Sequence, residues 1–577
     1  AEGYEDERTA KVLRELGRTV AKDAEGKKIG EIVVVRHDVF VEDEVWPTFL
    51  NGLHWTTQDG IVRRELLFEV GEPYQQARID ESARKLRDQV IFAFVRIVPV
   101  VPTSGKPDEV DVLVFTRDLW SLRLESAFGL TGSVIDNLAL TLIERNLLGR
   151  NYQAALSFDL DPGTWAVGEL FVDRRLFGSR WQFSESFELV FGRMGSTAGD
   201  LEGTRGSVGV GLPLWDLRPR YGVEASAAWN VTTRRQLSGD SLLTWDDAAT
   251  PETEAVPRVW DQSLVKLALQ GVRQMGDGSG GSWVHRFYFG YGAYLTDYTP
   301  NVDTGLAADS PERARFVDEV LPPSRRQLYP YFRWQSFTPH WANFRDLAAF
   351  GLTEDVRTGP WIDLAFAAPL VAFGSAKDAL TLEASAGLVL APELGGDRAL
   401  FDLRAGMYAR VEGGALIDQD YSVRFRTASP RFVLGRVIAS IDLVSRVADS
   451  GRTLVSVGGD NGLRGFASQA FYGFGVDRLR ANVELRTPPV VLGSVHIGGV
   501  LFYDAGGVGD GPASLDLHHA LGLGLRMLLP QFNRFAFRLD LGFPLDHGGA
   551  ERPALLFSLG STQAVPLTTL EDDKLSQ

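Results

Sequence analysis

An arginine sits among glycines in Gly458-Gly459-Asp460-Asn461-Gly462-Leu463-Arg464-Gly465-Phe466, and an aspartate follows downstream in Phe502-Tyr503-Asp504-Ala505-Gly506. Between them Asn482, Glu484 and Arg486 alternate with Ala481, Val483 and Leu485, which puts a second carboxylate on one face of a strand. A guanidinium stays charged at every physiological pH and forms forked hydrogen bonds to a carboxylate. Glycines let its loop fold tightly and approach a wall closely. The chemistry available to these types is an ion pair formed in a confined space: a structural lock, not a reaction.

Enzyme chemistry lacks its residues. The sequence has no H-E-x-x-H and no G-x-S-x-G, so metalloprotease and hydrolase machinery is missing. Gly290-Tyr291-Gly292 and Gly522-Leu523-Gly524-Leu525 look like phosphate loops but stand mid-strand with no helix following. His518-His519 beside Asp516 reads as a solvated loop, and the acidic run 240–254 as a solvated extracellular one. No catalytic residue, metal or cofactor is expected.

The positioning elements are mostly strands. The chain has 577 residues, 44% hydrophobic, with 61 Gly, 13 Trp and no Cys, which excludes disulfides, thiolate zinc sites and Cys nucleophiles. A net charge of −16 is the wrong sign for nucleic acid. No stretch makes a convincing transmembrane helix, and the only other structure that satisfies every backbone group in lipid is a closed barrel. From Leu119 onward, segments of about ten residues alternate between apolar and polar, separated by Gly/Asp/Asn/Pro clusters. Phe535, Phe537, Leu539, Leu541 and Phe543 alternate with Ala536, Arg538, Asp540 and Gly542; Leu521, Leu523 and Leu525 with Gly522, Gly524 and Arg526. In a soluble sandwich the apolar face looks inward, in a membrane barrel outward, and alternation alone does not choose. Length without a second core, long insertions at 239–257 and 300–324 against tight turns such as Asp161-Pro162-Gly163, and tryptophans near strand ends favour the barrel. Ahead of it, 29–118 reads as a small α+β domain in the order β-α-α-β-β. Residues 4–24 read as an amphipathic helix that caps this domain in preference to plugging a lumen. The opening at Ala1 resembles that of a mature, already cleaved chain.

The Arg464 loop, the Glu484 strand and the Asp504 strand together resemble the last third of the BamA/TamA superfamily of outer-membrane barrels. Arg63-Arg64-Glu65-Leu66 and Gly71-Glu72-Pro73-Tyr74, within β-α-α-β-β, resemble a polypeptide-transport-associated (POTRA) domain. Glu144 to Asn151 and Asp173 to Gly178 resemble the family's periplasmic turns. The resemblance implies a barrel of about sixteen antiparallel strands over 119–567. It also implies one periplasmic POTRA domain at 29–118, an N-terminal helix and linker at 1–28 and a polar tail at 568–577. It implies that an extracellular loop folds back into the lumen, with Arg464, Gly465 and Phe466 at its tip, Asp504 as first acceptor and Glu484 as second. The first and last strands must pair, and Gly129, Gly132 and Gly560 would loosen that seam. The expected activity is insertion or translocation of polypeptides at a Gram-negative outer membrane. The expected partners are unfolded outer-membrane or secreted clients, outer-membrane lipids and periplasmic chaperones or lipoproteins, with no nucleic acid and no enzymatic turnover. A dedicated two-partner secretion transporter and a plain channel or receptor barrel are the alternatives.

Overall fold

A computed structural model describes residues 4–559 except 42–45, 47, 132–133, 219, 251–254, 279–280, 461, 535 and 547–553. Gly132, Gly560, Phe535 and the polar tail therefore lie outside the described residues. Helix α1 (Tyr4–Glu15) is shorter than the expected 4–24. Its Val12 and Leu13 pack on Phe94, Val100 and Phe115 of the small sheet, so it caps that domain. The sheet has three strands, β1 (Lys28–His37), β2 (Phe92–Val100) and β3 (Glu109–Asp118), in the order β1-β3-β2. β1 runs parallel and β2 antiparallel to β3. Helices α2 (Asp59–Glu65) and α3 (Gln76–Asp88) close a core of Ile29, Val62, Ile79, Leu86, Phe92, Val112 and Val114 on its other face. The expected order β-α-α-β-β is reproduced.

After β3 the chain enters one large antiparallel sheet that forms the barrel. Its first strand, Leu122–Thr131, pairs with Val134–Leu147 on one side and with Ala554–Leu559 on the other, Leu130 facing Leu555. Among the described residues the ring holds twenty strands, counting Arg325–Phe337 with His340–Phe344, and Asp477–Arg486 with Val490–Leu492, as one interrupted strand each. The expectation of about sixteen is too low. The two-residue period is weak in each strand, and a turn as short as Gly413-Gly414 joins Leu400–Glu412 to Ala415–Ala428 almost without punctuation.

Burial decides which way the alternation faces. In Phe537–Pro544, Arg538, Asp540 and Gly542 are buried while Phe543 is exposed. In Asp516–Leu528, Leu521, Leu523 and Leu525 are exposed and Arg526 is buried. Leucines face outward and charges face in, the reverse of a soluble sandwich. Leu124, Leu142 and Leu156 continue this outer face across three paired strands. No described helix is long and apolar enough to cross a membrane.

The long insertions carry local structure of their own. Leu237–Ser238 pairs with Ser241–Leu242 and Thr244–Trp245 with Val256–Pro257, and 301–324 carry a helix at Pro311–Glu319, with Trp245, Trp260, Phe316 and Leu321 in a shared cluster. Asp247 is buried against Arg315, so the acidic run is not uniformly solvated. His518 and His519 lie within a strand, not in a loop. The His518 ring stacks on Phe471 at 3.5 Å, and His519 Nδ1 lies 2.7 Å from the Tyr503 hydroxyl. No His/Asp/Glu cluster among the described residues is arranged for a metal.

Candidate functional site

The connection from Arg436–Val447 to Asp477–Arg486 folds back on the inner wall. A short hairpin, Leu454–Val457 with Phe471–Phe474, forms its neck. Beyond it Gly458, Gly459, Gly462 and Gly465 all have positive φ, which confines these positions to glycine or to strain. The Gly459 N–H donates to the Phe466 carbonyl at 3.0 Å, closing the tip. Gly465 stands over Gly542 of the wall, where a Cβ would lie 2.5 Å from the Gly465 nitrogen and 2.7 Å from the Arg464 carbonyl carbon. Two glycines thus let loop backbone and wall backbone touch. Phe466 is buried beside Val457, Leu463 and Ala520, with its ring edge-on to Phe471 at 5.1 Å.

This packing places Arg464, 1% exposed, among carboxylates from three wall strands. Its backbone N–H and its Nε donate to Asp504 Oδ2 at 3.0 and 2.8 Å, and Nη2 to Asp504 Oδ1 at 2.8 Å. Nη1 donates to Asp540 Oδ2 at 3.1 Å. Nη1 also lies 2.7 Å from Glu484 Oε1, an ionic contact outside hydrogen-bonding geometry, since that oxygen accepts no hydrogen bond among the described residues. The guanidinium carbon stands 3.6 Å over the Phe502 ring, so one face is stacked while the edges are bonded. Asn482 Nδ2 ties Asp504 Oδ1 (2.7 Å) to the Gly462 carbonyl (3.0 Å).

The network extends beyond the expected pair. Arg526 donates to both oxygens of Asp540 at 2.5 and 3.2 Å, Arg486 Nε to Glu484 Oε2 at 2.9 Å, and Arg538 to Asp460 of the loop at 2.5 Å. Four arginines thus face four carboxylates, all buried except Asp460 of the loop, which keeps the cluster near neutrality. Arg464, Gly465, Phe466, Asp504 and Glu484 come together as the sequence suggests. Asp540, Arg526, Arg538, Asn482 and Gly542 were missed as members. The available signal was the stripe Arg538, Asp540 and Gly542 facing the small residues Gly522 and Gly524.

A second segment reaches the same wall from the other end of the barrel. Residues 345–353 fold across that mouth, with Ala349, Phe350 and Leu352 in a buried cluster with Leu528 and Ala536. Glu354 accepts the N–H groups of Leu347, Ala348 and Ala349 at 2.8 to 2.9 Å, which fixes the turn. Arg486 Nη1 donates to the Leu347 carbonyl at 2.5 Å. From below, Glu5 of α1 accepts from the N–H of Thr353 at 3.1 Å and from its hydroxyl at 2.7 Å. The small domain is fastened to this end by Arg87 on Asp355 (2.7 and 2.9 Å) and by Trp120 N–H on the Gln531 carbonyl (2.7 Å). The two turns expected to be periplasmic dock there too. Gly149 lies against the Thr56 carbonyl, and Arg175 pairs with Glu65.

Of the seam glycines, Gly129 is described. It faces Leu556 and Asn137, with a register irregularity after it.

Residues 455–562 match the family model of the Omp85 superfamily domain. No curated protein sequence matches the chain. Among solved structures, BamA from Haemophilus ducreyi lacking POTRA domains 1–3 is similar at 11% identity, covering 92% of this chain and 84% of that one, with a TM-score of 0.34. CdiB from Acinetobacter baumannii is similar at 11% identity, covering 92% and 73%, and CdiB from Escherichia coli at 11%, covering 92% and 76%, both with a TM-score of 0.38. Likeness at that level leaves the chemistry to be argued from the site itself. The segment that matches the Omp85 superfamily domain thus holds the Arg464 loop together with the Glu484, Asp504 and Asp540 strands that receive it.

Proposed function

We propose that this protein inserts or translocates other polypeptides at a Gram-negative outer membrane, with the small α+β domain as a single POTRA domain in the periplasm. The observation that carries the reading is Arg464, held by carboxylates of three wall strands at the tip of a loop that folds back on the inner wall. A pore that only conducts gains nothing from a charged clamp whose rupture leaves buried charge unpaired. A barrel that must hold one lumen shape until a client arrives does.

Client capture follows from the small sheet. The outer edge of β2 is occupied, with Ala21 N–H on the Pro99 carbonyl and Val101 N–H on the Thr19 carbonyl. Beyond Ile29, no described strand pairs with the outer edge of β1, where the Arg63 side chain reaches the Ile32 carbonyl at 3.4 Å. An extended unfolded outer-membrane or secreted polypeptide would add to β1 through main-chain bonds, with little demand on its sequence. The seam at Gly129 would then pass it toward lipid, with periplasmic chaperones or lipoproteins as suppliers.

The test places the purified protein in liposomes and times the folding of an unrelated denatured outer-membrane barrel. Acceleration by the wild type, lost in Arg464→Ala while the variant's own barrel stays folded, is the expected result. No acceleration by either protein would end the insertion reading and leave secretion transport.

A further inference from the structure

The segment from Trp46 to Thr57 joins β1 to α2 and divides its side chains sharply. Thr48 is exposed, but the segment's other polar groups, Asn51, His54, Thr56 and Thr57, turn inward. Asn51 brackets Phe40, accepting its N–H at 3.1 Å and donating to its carbonyl at 2.8 Å. The His54 ring lies between Ser121 Oγ at 3.1 Å and Asp118 Oδ2 at 3.2 Å, at the foot of the first barrel strand. Thr57 N–H donates to Asp118 at 2.6 Å, and Asn146 of the first hairpin donates to Thr57 Oγ1 at 2.9 Å and the Trp55 carbonyl at 3.3 Å. Three of its large apolar groups turn outward instead: Phe49 is 75% exposed, Leu53 72% and Trp55 50%. Residues 48–55 (TFLNGLHW) carry no Asp, Glu, Lys or Arg.

A polar staple that holds three large apolar side chains in water would be costly, since each forgoes roughly 1.5–3 kcal/mol of burial. The place where the segment is stapled identifies what covers it. Trp46 shares a groove with Leu122 and Leu124, which are exposed on the barrel's outer face. Leu148, also exposed, lies on the adjoining turn, whose carbonyl accepts from Gln58 at 3.2 Å. The segment that bears the apolar patch is therefore held beside the exposed leucines of the first barrel strand and its turn. Aromatic and aliphatic groups at that level are what a bilayer interface accepts.

We infer that residues 48–55 are a membrane foot: Phe49, Leu53 and Trp55 dip into the near leaflet of the membrane beside the first barrel strand. Because the foot is stapled to Asp118 and Ser121, it fixes the height of the small domain against the bilayer. It also displaces lipid headgroups next to the strand that closes the ring. Lacking charge, it binds without anionic lipid and without salt dependence. This inference does not depend on the insertion reading.

The chain has no cysteine, so single cysteines can be placed and labelled with an environment-sensitive fluorophore. Full-length Phe49→Cys, Leu53→Cys and Asp108→Cys, the last at the far end of β3 (roughly 30 Å away at strand rise), are reconstituted in phosphatidylcholine vesicles. Labels at 49 and 53 are expected to shift to the blue, to be quenched by lipids spin-labelled near the headgroup and to be shielded from iodide; the label at 108 shows none of this. A label-free arm uses brominated phosphatidylcholine, in which Trp55→Phe loses part of the quenching seen in the wild type. Iodide access at 49 and 53 equal to that at 108, with no lipid quenching, overturns the inference. So does shielding that appears only when a denatured polypeptide is added, which would assign the patch to clients.

Discussion

Arg464→Lys separates charge from shape at the latch. Arginine donates Nε and Nη2 to the two oxygens of Asp504 and Nη1 to Asp540. A lysine ammonium offers three donors from one point and cannot span both carboxylates. Two charge-assisted bonds are lost at roughly 1.5–3 kcal/mol each, partly offset by the charge that remains, so about 3 kcal/mol is the expected cost to loop docking. At about 1.4 kcal/mol per decade, that loosens the docked state roughly a hundredfold. The stacked contact with Phe502 is weakened as well. Hydrogen exchange on the full protein reads this directly, because the Arg464 N–H is held by Asp504 and the Gly459 N–H by the Phe466 carbonyl. Both amides should lose about two decades of protection while the barrel ladders keep theirs. If Arg464→Lys protects them like the wild type while Arg464→Ala does not, net charge holds the loop and the argument from the guanidinium fork is wrong.

Gly542→Ala leaves every charge in place but puts a methyl 2.5 Å from the Gly465 nitrogen, against backbone that has little room to yield. Overpacking of that kind costs roughly 1–3 kcal/mol, so the same two amides should exchange faster in a fully charged latch. At the small domain, burial and the neighbouring Arg117 hold the His37 pKa below its ordinary 6.5. The folded state prefers the neutral ring, so its contribution is present above pH 6.5 and is lost as pH falls through the folded value. The protection factors of the β1 amides, taken relative to intrinsic exchange at each pH, should therefore fall between pH 7.5 and 5, and His37→Gln should flatten that dependence.

Arg464, Asp504 and Glu484 were legible because each stands out locally: an arginine among glycines, an aspartate before Ala505-Gly506, a glutamate in clean alternation. Asp540 and Arg526 were not, because in sequence each is one more polar residue in an amphipathic strand. They face Arg464 only after the wall's strand order is known, with Phe537–Pro544 two strands beyond Val495–Gly509. Inside and outside were undecided for a similar reason: a two-residue period fixes that two faces exist and leaves open which of them meets water. The strand count failed on the same weak period. His518 was taken for a loop residue because histidine beside Asp516 carries no strand signal, whereas its ring is held by stacking on Phe471, which is far away in sequence.

The two segments that enter the barrel from opposite ends meet on one strand. Arg464 of the loop stands against Glu484, and Glu484 is bonded to Arg486 two residues along. Arg486 donates in turn to Leu347 at the mouth, and that segment is tied through Thr353 to Glu5 of the N-terminal helix. Withdrawing the mouth segment removes the carbonyl that orients Arg486, and with it the partner that holds Glu484 toward the latch. Releasing the latch takes away the guanidinium contact of Glu484 Oε1, which accepts no other hydrogen bond among the described residues. Either change raises the cost of keeping Glu484 buried and charged. The carboxylate is therefore the side chain on which the lumen loop and the mouth segment both bear, the first directly and the second through Arg486.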